Sequence, residues 1–269
     1  MALGRLRLLA ARPANARDWA IEELSLQSPA ARLAASGRWS TPAQGASGTE
    51  LNFDIDLADA GRFLTVLGFP DTLSGGAGKV MGKIGWSGSP MRLHKPTLHG
   101  TVSVSMQRGQ FLKADPGMAK LIGVLSLQSI PRRLSLDFSD VFDKGFAFDA
   151  IVGEARIDRG VARTESLLMH GVQAQVLIEG EVDVEHETQK LAVDVLPNIN
   201  AGIASIAYAA MSNPAVGIGT LLAQMLLENP LRRLFAYKFE ITGPWTDPEV
   251  VQKNRQRFEN SNETEYISG

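Results

Sequence analysis

The sequence predicts a mainly β chain, an antiparallel sheet with short helical inserts and a pair of apolar helices toward its C-terminal end. Three observations predict it. Apolar and polar residues alternate with period two over several stretches, hairpin signals separate some of them, and a glycine–tryptophan pattern recurs at strand ends. Composition agrees. The 269 residues include 26 glycines and only 21% charged side chains. Lys and Arg number 27 against 29 Asp and Glu, a net of −2, which argues against a general nucleic-acid binder. With no cysteine there is no disulfide, thiolate nucleophile, zinc finger or iron–sulfur cluster, and the chain is indifferent to redox compartment.

Taken in chain order, the first segment is Met1 to Arg12, whose apolar run Leu8 to Ala11 is too short for a secretory signal. It reads either as the middle of a longer architecture or as an ordinary cytosolic N-terminus. Leu51, Phe53, Ile55 and Leu57 then oppose Asn52, Asp54 and Asp56, a strand with one dry and one wet side. Ala58 to Leu67, stopped by Gly68, reads as a short helix. Leu98, Val102, Val104 and Met106 oppose Thr101, Ser103, Ser105 and Gln107 in a second strand. Pro116 to Leu127, opened by Asp115, predicts a second helix.

Asp158-Arg159-Gly160 predicts a hairpin turn between Ala155–Ile157 and Val161–Thr164. The longest alternation follows. Ala174, Val176, Ile178, Gly180, Val182 and Val184 face one way, and Gln173, Gln175, Glu179, Glu181, Asp183 and Glu185 the other, with Leu177 out of pattern. After an expected turn at Glu187-Thr188-Gln189, Leu191, Val193 and Val195 share a face.

From Val195 to Leu227 there is no charged residue. Ile199–Ser212 and Ala215–Leu227 read as two apolar helices joined at Asn213-Pro214, each short of the roughly 18–20 residues that span a bilayer. One reading makes them a plug over the end of a sheet. The other is a hairpin dipping into a membrane surface, with Ile203, Ile206, Tyr208, Ile218, Leu221, Leu222 and Leu226 touching lipid and Arg232 and Arg233 meeting anionic headgroups. A final strand over 231–247 and a polar tail over 248–269 complete the chain. Across it, Gly37-Arg38-Trp39, Gly85-Trp86 and Gly243-Pro244-Trp245 form a loose repeat in which an indole covers a glycine bend.

No motif supports enzyme chemistry. Ser74-Gly75-Gly76-Ala77-Gly78-Lys79-Val80 lacks the spacing of a phosphate loop and has Val80 where magnesium needs a hydroxyl, so it reads as a turn between helix and strand. Gly85-Trp86-Ser87-Gly88 resembles a nucleophile elbow whose last glycine comes one residue early. His94, His99, His170 and His186 have no carboxylate cluster suited to a metal, and Asp54 and Asp56 belong to a solvated outer face. Neither a catalytic residue, a metal nor a cofactor is expected.

The residues do resemble a known family. Asp59-Ala60-Gly61-Arg62-Phe63-Leu64, Leu67-Gly68-Phe69, Ser74-Gly75-Gly76 and Lys83-Ile84-Gly85-Trp86-Ser87-Gly88-Ser89-Pro90 are similar to the AsmA-like repeat. Gly109-Gln110-Phe111, Asp115-Pro116-Gly117, the run Leu125 to Leu134, Leu136-Asp137-Phe138, Phe142-Asp143-Lys144-Gly145-Phe146 and Thr242-Gly243-Pro244-Trp245 resemble the C-terminal region of its YhdP-like branch. The resemblance covers roughly Leu51 to Val251. It implies an elongated, curled sheet whose apolar groove carries phospholipid across the periplasm of a Gram-negative envelope. It also implies an inner-membrane anchor in full-length relatives and a distal end near the outer membrane.

On that footing the chain divides into an upstream AsmA-like portion over 1–95, a groove segment over 96–196, the apolar helical hairpin over 197–230, a last strand and the tail. Val102, Val104, Phe146, Phe148, Val176, Ile178, Val182, Val193 and Val195 are the expected groove lining. The expected partners are phospholipid, the outer-membrane surface or a protein in it, and the upstream part of the same bridge. A second reading stays open: a closed β-sandwich scaffold or envelope-assembly factor with the apolar helices as a protein-docking plug.

Overall fold

Alternating side chains put their apolar halves on one side of an extended backbone, and neighbouring strands with the same pattern bury that side together. In the computed structural model the described residues are 4–12, 17–42, 45–112, 146–171, 174–197 and 237–253. They form β1 (Arg5–Ala11), β2 (Trp19–Gln27), β3 (Ala31–Ser40), β4 (Gly48–Leu57), α1 (Ala60–Val66), β5 (Leu73–Ser87) and β6 (His99–Phe111). Beyond these come β7 (Phe146–Asp158), β8 (Val161–Gly171), β9 (Ala174–Asp183), β10 (Thr188–Pro197), β11 (Tyr237–Pro244) and β12 (Glu249–Lys253). Each strand pairs antiparallel with the next, so the order in the twelve-stranded sheet is the order in the sequence. The sheet is open, with β1 and β12 as its edges; residues 95 and 96 lie in the connection between β5 and β6, which pair with each other.

The two ends of the strands differ. At one, the turn end, connections are mostly tight; β7 and β8 are joined by Arg159 and Gly160, both at positive φ (47° and 77°), the conformation a two-residue hairpin needs. At the other, the insertion end, lies α1, and there β6 and β10 end and β7 and β11 begin. α1 is short because its signals are local: the Asp59 carboxylate accepts the Arg62 amide at 3.0 Å, and Gly68 at φ 98° ends it. Its Gly61 lies so close to β5 that a Cβ there would stand 2.2 Å from the Leu73 carbonyl oxygen.

Four expectations change. Ser74 to Gly78 is not a turn but the start of β5; Gly78 is required because a Cβ there would meet the Ser105 carbonyl at 2.2 Å. The turn placed at Glu187–Gln189 falls earlier, over 184–187, where the Asp183 carboxylate accepts the amides of Glu185 and His186 at 2.9 Å each. The polar tail over 248–269 begins with a strand, β12. The first segment, for which no strand was expected, supplies β1. The helices expected at 116–127 and 199–227 fall outside the described residues, as do Ile203, Ile206, Tyr208, Ile218, Leu221, Leu222, Leu226, Arg232 and Arg233. Among the described residues no helix is long and apolar enough to cross a membrane.

Candidate functional site

Register turns alternation into a surface. Leu6, Leu26, Leu33, Ile55, Val80, Val104, Gly153, Leu167, Ile178, Val193 and Phe239 stand opposite one another in a single file across eleven consecutive strands. At about 4.8 Å per strand the file is about 50 Å long. Its one residue without a side chain, Gly153, is roofed by Leu167, whose Cδ1 would be 2.5 Å from a Cβ there. A second file, nearer the insertion end, runs Ala31, Leu57, Gly78, Met106, Ile151, Met169, Val176, Val195 and Tyr237.

All nine expected lining residues fall on this apolar face. Phe146, Phe148, Val176, Val193 and Val195 form part of its buried cluster, and Val104 and Ile178 pack against it. Val102 and Val182 share the face by register but stand outside that cluster. Phe148 and Ile151 are an odd number of residues apart yet join one cluster, because the pairing of β7 with β8 shifts register between Phe148 and Ala150. The two phenylalanines pack over glycines of neighbouring strands: a Cβ on Gly109 would lie 2.4 Å from Phe148 Cζ, and one on Gly171 2.6 Å from Phe146 Cζ. Phe111 completes the corner, its ring centroid 5.3 Å from that of Phe148.

Toward the turn end the same face is half-buried at Leu51, Phe53, Ile84 and Val102, and it closes again at the margin, where Thr49, Trp86 and Leu98 are buried. Sequence reasoning missed how the tryptophans are used. Trp19, Trp39, Thr49 and Trp86 form one more file along this margin. The recurrent Gly–Trp pairs were the signal, but only register could align them.

The opposite face is mostly polar. Lys79 Nζ sits 3.0 Å from Asp54 and 3.1 Å from Asp56, and hydrogen bonds to both carboxylates raise its pKa. All three side chains are exposed, so the cluster contributes little stability. Arg163 and Glu181 pair across β8 and β9 at 3.1 Å. In the middle of this face Val152 and Leu177 are buried beside His170, the reason Leu177 breaks the alternation. Asp149 lies 3.8 Å from His170 Nδ1, and among the described residues neither ring nitrogen has a hydrogen-bond partner. Near the turn end Thr49 Oγ1 donates to the Gly88 carbonyl at 2.8 Å and His99 Nδ1 lies 3.0 Å from the Thr97 carbonyl, so both are engaged by main chain. Among the described residues no three His, Asp or Glu side chains gather as a metal site.

A one-sided, open β-meander whose apolar files cross almost every strand defines a class of protein that presents one extended apolar sheet face. The chain belongs to the YhdP protein family, whose model matches residues 1–250. It is 30% identical over 172 residues to the "Intermembrane phospholipid transporter YhdP" of Escherichia coli (strain K12); the match covers 64% of this chain and 14% of that protein. The chain thus corresponds to a small part of that relative's length. No solved structure matches.

Proposed function

We propose that this chain is a segment of an intermembrane phospholipid carrier, whose apolar face keeps acyl chains out of water. The observation that carries the reading is the file of apolar side chains from Leu6 to Phe239, continuous across eleven strands of an open sheet. Two acyl chains of about 16 carbons lose on the order of 25 kcal/mol of transfer free energy in water, so a route between membranes must shield them throughout. A surface along which lipid moves needs uniform apolar cover more than a tight pocket, and Leu, Ile and Val at successive register positions give that cover. The similarity to a phospholipid transporter supports the cargo.

In its finer form the segment is distal: a curled portion of a periplasm-spanning groove, approaching the outer membrane, with the uncharged stretch 195–227 as its membrane contact. Upstream sheet of the same bridge and the outer-membrane surface, or a protein in it, are then its partners. The chain performs no catalysis. The closed-scaffold reading requires two sheets sealed over a dry core, whereas the twelve strands pair into one.

Native mass spectrometry with lipid extraction, on protein purified in mild detergent, tests the reading. Co-purified phospholipid is expected, and Val102→Asp, on the half-buried part of the face, should lose it while keeping the β-sheet circular-dichroism signal. A lipid-free wild-type protein would overturn the carrier reading.

A further inference from the structure

Resting on that carrier reading, we infer the direction in which a phospholipid lies on the sheet: headgroup at the tryptophan margin, acyl chains running along the strands toward Phe146 and Phe148. All four tryptophans of the chain collect at the turn end. Trp19, Trp39 and Trp86 are in the file along β2 to β5, and Trp245 lies in the β11–β12 turn. Indole favours the level at which hydrocarbon gives way to polar groups, because its ring is apolar and its N–H is a donor.

The donors differ in a telling way. Trp86 Nε1 donates to the Ser89 carbonyl at 3.0 Å and Trp245 Nε1 to the Thr188 carbonyl at 3.3 Å. Trp39 Nε1 is shut away from solvent and, among the described residues, has no acceptor. A buried N–H without a partner is unfavourable, and a lipid ester or phosphate oxygen at this margin would satisfy it once the indole turns its N–H outward.

Charge agrees. Arg12 and Arg17 flank the β1–β2 turn and Arg92 lies in the β5–β6 connection; all three are exposed, and among the described residues none is in an ion pair. Asp18, beside them, is occupied by the Ser40 hydroxyl at 2.9 Å and the Thr41 amide at 3.2 Å. This margin is therefore complementary to a phosphate. The other end of the same face is its opposite: Phe146, Phe148, Val176 and Val195 are at most 2% exposed. A ten-residue strand is about 33 Å long, and the half of it nearer the turn end, about 16 Å, takes the headgroup and the upper part of the acyl chains of a lipid whose leaflet is about 20 Å thick.

Because every tryptophan sits at one margin, the emission of the wild-type chain reports that margin alone. The protein is loaded with phosphatidylcholine brominated either near the glycerol or near the chain ends, and bound lipid is counted by mass spectrometry in the same samples. Bromine near the glycerol should quench at least about twice as strongly as bromine near the chain ends. Equal quenching, or stronger quenching by the deep label, would overturn the orientation while leaving the carrier reading standing. No bound lipid in either sample would overturn both. Trp39→Phe, which keeps the ring and removes the donor, should weaken lipid retention about three- to tenfold, and unchanged retention would remove the N–H contact from the account. Inorganic phosphate in place of lipid should leave the emission unchanged; a spectral shift with phosphate alone would make the margin a simple anion site and overturn the proposal.

Discussion

The two margins of this sheet carry the same alternation and end in different states. At the insertion end the apolar face is packed as a core: Phe146, Phe148, Ile151, Met169, Val176 and Val195 are buried, with α1 set against β5 through Ala60 and Gly61. At the turn end Leu51, Phe53, Ile84 and Val102, on the same face, are half-buried. Alternation decides which side of a strand is dry; what lies over that side decides whether dryness becomes stability or an available surface. One part of the face is packed as a core, and the other keeps Leu51, Phe53, Ile84 and Val102 in partial contact with solvent.

Several substitutions would break or sharpen that contrast. The largest effect is expected from charge in the packed half. Val176→Asp places a carboxylate among Met169, Val195 and their neighbours at a site 1% exposed, and should unfold the domain outright in a thermal melt. Val102→Asp, on the same face, should stay folded. If both variants unfold alike, the two margins are one core. Phe146→Ala should cost about 3–5 kcal/mol in denaturant unfolding, because it removes a fully buried ring. Phe53→Ala, in the half-buried region, should cost only roughly 1–2 kcal/mol. Gly109→Val forces a side chain into the place of the Phe148 ring and should cost roughly 1–3 kcal/mol, while the equivalent change at Gly88, with nothing within 4 Å of its Cβ direction, acts only through its φ of 107°.

The smallest expected effect is on pH, at the β9–β10 turn. Hydrogen bonds from the His186 amide and ring hold the Asp183 pKa down, and the same carboxylate, with Glu185, raises that of His186. A lowered acid stabilises above its unfolded value of about 3.9 and loses that contribution as pH falls through the folded value. A raised histidine stabilises below about 6.5 and loses its contribution as pH rises through the folded value. The turn is therefore tightest between about pH 4 and 6.5, and amide exchange at Glu185 and His186 should be slowest there. Exchange with no minimum in that window beyond its intrinsic pH dependence would remove the pair from the account.

Much of the fold was legible where strands are regular. The faces of β4, β6, β9 and β10, the hairpin at Arg159-Gly160 and the short helix stopped by Gly68 follow from residue order alone, because each depends on contacts within a few positions. What escaped depends on distant partners. In β2 the spacing from Ile21 to Leu24 breaks period two, and only the register shift against β3 restores Leu24 and Leu26 to the apolar face. β12 has one side chain, Val250, packed against the core cluster, too little for a pattern to emerge from Glu249-Val250-Val251-Gln252-Lys253. Glycines at 75, 76 and 78 read as a turn because glycine weakens isolated strands. Here the Phe148 ring packs near Gly76, and the closeness of Ser105 requires Gly78. The candidate lining was legible as a set of dry residues; its division into a packed and an open margin was not, since exposure depends on what packs over each position.

The central claim is that lipid meets one face of this sheet and not the other, and β6 tests it within four residues. A photo-crosslinking amino acid is placed in turn at Val102, Ser103, Val104 and Ser105, the protein is irradiated in cells, and phospholipid adducts are read by mass spectrometry. Adducts at 102 and 104 with none at 103 and 105 are the predicted result. Adducts at all four positions, or at none while the protein is folded and in place, would contradict it.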